Sequence, residues 1–141
     1  MKEGNYFIDT NIFLRMIVKD DKQSAKDCEL LFNKIKQGEI SATISTLILA
    51  EIQWTLKSFY GLEKQQITTI LKSISEMKYL KIRDKHNATV MLELYEKHNV
   101  KFIDALIASC PDILNKKMTV ISFDKDFDKL KILRKEPKDL L

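Results

Sequence analysis

Short apolar runs of strand character alternate with longer amphipathic stretches along the whole chain, an order that few architectures accept. Asn5 to Ile8 is an apolar, aromatic-rich run whose length and flanks favour a buried strand over a helix. A short helix is expected from Asn11 to Val18. After the polar Lys19 to Lys22 connection, a longer helix is expected from about Gln23 to Gln37, stopped by Gly38. Ala42 to Ile44 reads as a second strand. Ser45 is placed to cap a helix carrying Leu47, Leu49, Ile52, Trp54, Leu56 and Phe59 before Gly61 ends it. Ile67, Ile70, Leu71 and Ile74 make the stripe of an amphipathic helix over Glu63 to Met77, and Tyr79 to Arg83 alternates like a strand. Asp84 to His98 reads as helix, and Phe102 to Ala108 as an apolar helical start that Pro111 should end or kink. Met118 to Ser122 is a β-branched strand, a short helix is expected over Asp126 to Leu130, and Ile132 with Leu133 suggests a last edge strand. Strands alternating with helices predict a parallel sheet flanked on both sides, the α/β class.

The chain of 141 residues, 45% hydrophobic, is sized for one continuous core, so a single domain over 1–141 is expected. Three glycines, two prolines and no Ser/Gly-rich or Pro-rich stretch leave no candidate linker. The N-terminus reaches charged and polar residues too early for a signal peptide, and no apolar run approaches the ~18 residues of a membrane span. A cytoplasmic protein without a membrane partner is the expectation. Cys28 and Cys110 lack the spacing of a zinc site or disulfide framework and read as small buried hydrophobes. A net charge of +4 permits an anionic partner without identifying one.

More informative is where the acids stand. Ligands of open parallel α/β sheets bind beyond the carboxyl ends of the strands, and Asp9 and Asp124 are each predicted at such an end. Glu51 and Asp104 each interrupt an apolar helical stretch, so they should face inward or toward a cavity, where a carboxylate is costly unless its charge is offset. Clustered carboxylates raise one another's pKa, and such a cluster is stable when protonated or when cations occupy it. Carboxylate oxygens without a His/Cys pattern suit Mg²⁺ or Mn²⁺. One or two such ions can activate water and clamp the attacking and leaving oxygens of a phosphodiester.

Ile8-Asp9-Thr10-Asn11, Ala50-Glu51, Asp104-Ala105-Leu106-Ile107-Ala108 and Ser122-Phe123-Asp124 together resemble the motifs of the PIN-domain family. Their order and spacing are similar to those of bacterial and archaeal VapC-type toxins across essentially the whole chain. The resemblance implies a three-layer α/β/α sandwich and a Mg²⁺- or Mn²⁺-dependent endoribonuclease acting on RNA. It also implies a homodimer and, frequently, inhibition by a small antitoxin. Asp9, Glu51, Asp104 and Asp124 become the metal-binding and catalytic acids, with Thr10, Asn11 and Ser122 as supporting polar groups. Asn11 could hold a carboxylate and Ser122 could orient Asp124 or a metal water, although both residue types also serve as caps and turn residues. The chain departs from the family pattern at Cys110-Pro111-Asp112, where a continued helix of small residues is usual.

Other readings compete. A PIN nuclease in RNA processing or acting on DNA would use the same acids, and a non-catalytic module would use them only to bind metal or a basic partner. A phosphotransferase with a DxD nucleophile is disfavoured because Asn11 stands where the second acid would be. His86 and His98 read as solvated histidines on a polar helix. The lysines from Lys116 to Lys138 read as a solvated face, with attraction of RNA through its phosphates as the lesser reading. Of the three neighbouring acids near the C-terminus, Asp124 is assigned to the site, Asp126 to a helix cap and Asp128 to the first helical turn.

Overall fold

The structure, a computed structural model, describes residues 5–141. The charged start of the chain, on which the signal-peptide reading partly rests, lies outside the described residues. Five short strands, β1 (Tyr6–Ile8), β2 (Ala42–Ile44), β3 (Leu80–Ile82), β4 (Thr119–Ile121) and β5 (Arg134–Lys135), form one sheet in the order β3-β2-β1-β4-β5. Every pairing is parallel, with Phe7 beside Thr43 and Val120, and Thr43 beside Lys81. Parallel strands need crossovers, and helices supply them on both faces.

Four helices, α1 (Thr10–Val18), α2 (Lys22–Lys36), α3 (Thr46–Ser58) and α4 (Lys64–Ser75), pack on one another in one layer. On the other side lie α5 (Ala88–Lys97), α6 (Phe102–Ala108) and α7 (Pro111–Leu114). The expected three-layer α/β/α sandwich is the one observed. Its core joins the fully buried Phe7, Ile8, Ile12, Phe13, Leu31 and Phe32 with Ile48, Ile52, Val120 and Phe127. Cys28 and Cys110 are buried and free, as expected of small hydrophobes.

Several local expectations are corrected by partners the sequence does not display. The helix expected from Asp84 begins instead at Ala88, because the Asn87 side chain accepts from Val90 N and sets the start there. Asp84 serves another helix: its carboxylate accepts from Thr46 N at 2.7 Å and from the Thr46 hydroxyl at 3.0 Å, capping α3. Ser45 stands at the N-cap position of α3 but makes no capping bond, because its hydroxyl is paired with His86. The helix over Phe102–Ala108 does end before Pro111, as expected, and Pro111 opens a further helix, α7. The last strand is Arg134–Lys135 instead of Ile132 with Leu133. Lys131 turns the chain with φ 57°, and Ile132 goes into the core while the ladder forms beyond it. The α3 face is less apolar in use than in composition, since Trp54 and Phe59 are 66% and 77% exposed.

Candidate functional site

The carboxyl ends of β1 and β4 adjoin, and there the chain turns into α1 and into a 3₁₀ segment (Lys125–Leu130). Asp9 follows β1, caps α1 by accepting from Thr10 N at 2.8 Å, and is 6% exposed. Ser122, fully buried after β4, donates its hydroxyl to Asp9 Oδ2 at 2.6 Å. That same hydroxyl accepts from Asn11 Nδ2 and from Asp124 N, each at 3.0 Å. Ser122 therefore orients Asp9 by its side chain and Asp124 through the backbone. Asn11 does not hold a carboxylate; it holds Ser122, and its Oδ1 accepts from Phe123 N. Thr10 donates its hydroxyl to Glu51 Oε1 at 2.6 Å, which brings half-buried Glu51 on α3 beside Asp9.

Asp104 enters from α6 and is 2% exposed, with Oδ2 buried and lacking any hydrogen-bond partner. A buried carboxylate oxygen without a partner is costly, so the atom calls for a cation or a proton. Oxygens of Asp104, Asp124 and Asp126 lie within 4.8 Å of one another. Asp124 caps the 3₁₀ segment by accepting from Asp126 N at 2.9 Å and pairs with Lys101 at 2.6 Å. Asp126 pairs with Lys129 at 3.0 Å.

The electrostatics divide these acids. Burial pushes the Asp9 carboxyl up to about 6; the bonds from Ser122 and Thr10 oppose it, and the charges of Glu51 and Asp124 add to it. Burial, reinforced by the Asp124 charge, pushes Asp104 up to about 7. Burial also works against ionised Asp124, but the Lys101 bond and the Asp126 amide outweigh it and hold that carboxyl below the usual range. The edge thus combines one firmly ionised acid with two whose charges need compensation. A divalent cation fits this donor set, because carboxylate oxygens are the ligands that Mg²⁺ and Mn²⁺ prefer and Asp104 Oδ2 has capacity to spare.

Of the acids expected from sequence, Asp9, Asp104 and Asp124 meet at this edge, and Glu51 stands at its rim through Thr10. Sequence reasoning missed Asp126, which was assigned to a helix cap. Asp124 makes that cap instead, leaving the Asp126 carboxylate among the others. The acidic alternation of Asp124, Asp126 and Asp128 was the available signal. Asp128 does stay outside, held by Arg134 Nε at 3.0 Å. Lys101 was also missed, and no pattern in the sequence marks it. His86 is corrected too: it is half-buried in the loop before α5, with Nε2 2.7 Å from Ser45 Oγ and Nδ1 3.0 Å from Leu106 O.

Comparison with solved structures finds the same fold in a chain of VapBC2 from Rickettsia felis, a complex bound to a DNA fragment from its promoter. The TM-score is 0.65 at 23% identity, covering 94% of this chain and 98% of that one. Mycobacterium tuberculosis VapC20, a sarcin-ricin loop cleaving toxin, matches with a TM-score of 0.65 at 14% identity, covering 91% and 96% respectively. No curated protein sequence matches significantly. The PIN domain profile, however, matches residues 6–133, a span that contains every acid of the carboxyl edge. With this match over most of its length, the chain belongs to the PIN domain family.

Proposed function

We propose that the protein is a Mg²⁺- or Mn²⁺-dependent endoribonuclease that hydrolyses RNA phosphodiester bonds, as the toxin of a toxin–antitoxin pair. The observation that carries this reading is the unpartnered, buried Oδ2 of Asp104 beside the half-buried Asp124 and Asp126, a set of oxygens suited to a hard cation. Asp104, Asp124 and Asp9 would hold the cation, with Asp126 added, and Glu51, held by Thr10 beside Asp9, is the acid placed to accept a proton. When bound, the cation supplies an acidified water and stabilises charge on the phosphate and the leaving oxygen.

The chain's own groups do the rest. Ser122 and the Thr10 amide fix both oxygens of Asp9, so its orientation is set before any ligand arrives. Thr10 positions Glu51, and Asn11 locks Ser122. Hydrolysis forms one bond from the water oxygen to phosphorus and breaks one P–O bond of the chain, with the water proton passing to a carboxylate and a proton returning to the leaving oxygen. The raised carboxyls of Asp9 and Asp104 belong to the metal-free protein; a bound cation would hold both ionised, which leaves Glu51 as the acid to take the water proton.

The toxin assignment draws on the shared fold with the two VapC chains and on the chemistry of the edge. An acidic crevice of this kind accepts a cationic side chain, as Lys101 does at Asp124, and a small antitoxin inserting Arg or Lys would inhibit in that way. A homodimer is part of the same proposal. The test is incubation of a total RNA pool with wild type and Asp104→Asn, with and without Mg²⁺ or Mn²⁺, followed by sequencing of the new ends. Discrete metal-dependent cuts absent from the variant are expected. Cuts that persist in Asp104→Asn or in chelator would refute the assignment. Recovery of the native-host protein without any small partner would favour RNA processing over the toxin role.

A further inference from the structure

The face of β2 and β3 that α6 and α7 leave uncovered carries a groove of about 500 Å³ lined by Lys81, Arg83, Lys85, Thr43, Ser41 and Asn5, with Asp112 as its one acid. Lys81 lies on β3, the outer strand of the sheet, and the side-chain alternation of an extended chain continues past the strand's end. Lys81, Arg83 and Lys85 thus face the groove. Leu80 is buried on the opposite side, and Asp84 turns away to cap α3. All three cations are exposed, and none has an ion pair or side-chain hydrogen bond among the described residues.

Lysine on an edge strand also discourages strand-to-strand aggregation. That role needs one charge pointing into solvent. It does not call for three in register along a concavity that also offers the hydroxyls of Thr43 and Ser41 and the amide of Asn5. Cations at alternate residues of an extended chain stand about 6.6 Å apart, a repeat that lets each reach a successive phosphate of an extended single strand. The hydroxyls and the Asn5 amide add hydrogen-bonding groups for sugar and phosphate oxygens.

We infer that the Lys81/Arg83/Lys85 groove is a second nucleic-acid contact, binding the backbone of single-stranded RNA apart from the acidic edge. The groove shares no residue with that edge. Asn5, Ser41 and Met118 precede β1, β2 and β4, so the groove runs along the face from the sheet's amino end, whereas the acids stand at its carboxyl end. The groove's role as a substrate-holding site rests on the nuclease reading above; its affinity for RNA does not.

The test is fluorescence anisotropy of a short labelled single-stranded RNA in EDTA, where cleavage is off, with wild type and the triple variant K81Q/R83Q/K85Q. The triple variant should bind at least about tenfold more weakly, and its slope of log affinity against log salt should flatten by about 2, the loss of three phosphate contacts. Unchanged affinity and slope in the triple variant would overturn the inference, as would a poly-glutamate peptide that displaces the RNA at equal charge concentration, which would mark an acidic-peptide site. Retained, groove-dependent RNA binding by a protein that makes no cut in Mg²⁺ or Mn²⁺ would refute the nuclease reading alone.

Discussion

The two halves of the sheet's carboxyl edge handle buried polarity in opposite ways. Beyond β2 and β3, the buried and capping polar groups are partnered: Ser45 meets His86, His86 also meets Leu106 O, and Asp84 satisfies Thr46. Beyond β1 and β4, Asp9 and Asp104 are held well above their ordinary pKa values, and one oxygen of Asp104 has no partner. Burial of polar groups is common to both halves. What distinguishes the proposed site is unsatisfied capacity, which a structural role leaves unexplained.

Exchanging the fates of the two halves gives the largest expected effect. Asp104→Asn should lower RNA cleavage on the order of a thousandfold while making the metal-free protein more stable above pH 7. His86→Ala should do the reverse, costing about 1–2 kcal/mol by orphaning the buried Ser45 hydroxyl, while the Leu106 carbonyl keeps its bond from Ser109 and most of the activity remains. Kinetics and urea melts on both variants decide it. Loss of activity without loss of stability in His86→Ala would erase the distinction.

The raised carboxyls also make stability depend on pH in a definite direction. A group whose folded pKa is raised favours folding while protonated, so the contribution of Asp104 is full below about 3.9 and is lost as pH rises through about 7. For a carboxyl as buried as Asp104 this amounts to about 2–4 kcal/mol. Melting of the metal-free protein from pH 4 to 8 should show the decline, and millimolar Mn²⁺ at pH 8 should reverse it. A flat profile, or no response to the ion, would place the acids farther apart than the structure does.

Smaller effects sharpen the boundary of the site. Asp126→Asn should weaken Mn²⁺ binding about tenfold, measured by calorimetry, whereas Asp128→Asn should leave it unchanged because Asp128 is engaged by Arg134 outside the cluster. Lys101→Met should tighten Mn²⁺ a few-fold, on the order of 1 kcal/mol or less, since the exposed ammonium competes for Asp124. Asp84→Ala should cost about 1 kcal/mol of stability, the worth of a helix cap, with no effect on metal.

Periodicity and length alone determined the α/β alternation, because an apolar stripe or a short β-branched run must be buried wherever the chain goes. β2 and α6 occupy the spans read from sequence, and β1 and β4 are short by a residue at one or both ends. Asp9 and Asp124 were legible for the same reason, being fixed to strand ends. Glu51 and Asp104 were legible as acids in apolar helices. The family resemblance added their grouping.

Tertiary structure alone decided which polar group partners which. Asp84 caps a helix 38 residues earlier in the chain, His86 bridges the starts and ends of helices distant in sequence, and Asn11 reaches Ser122 across the sheet. Lys101 finds Asp124, and Asp126 joins the acids once Asp124 has taken the cap. The alignment of three cations along one groove likewise exists only because β3 ends up as the sheet's outer strand with one face uncovered. Apolar burial is non-directional and leaves its period in the sequence, whereas a hydrogen bond or ion pair depends on two groups meeting within about 3 Å, a coincidence that only the folded chain fixes.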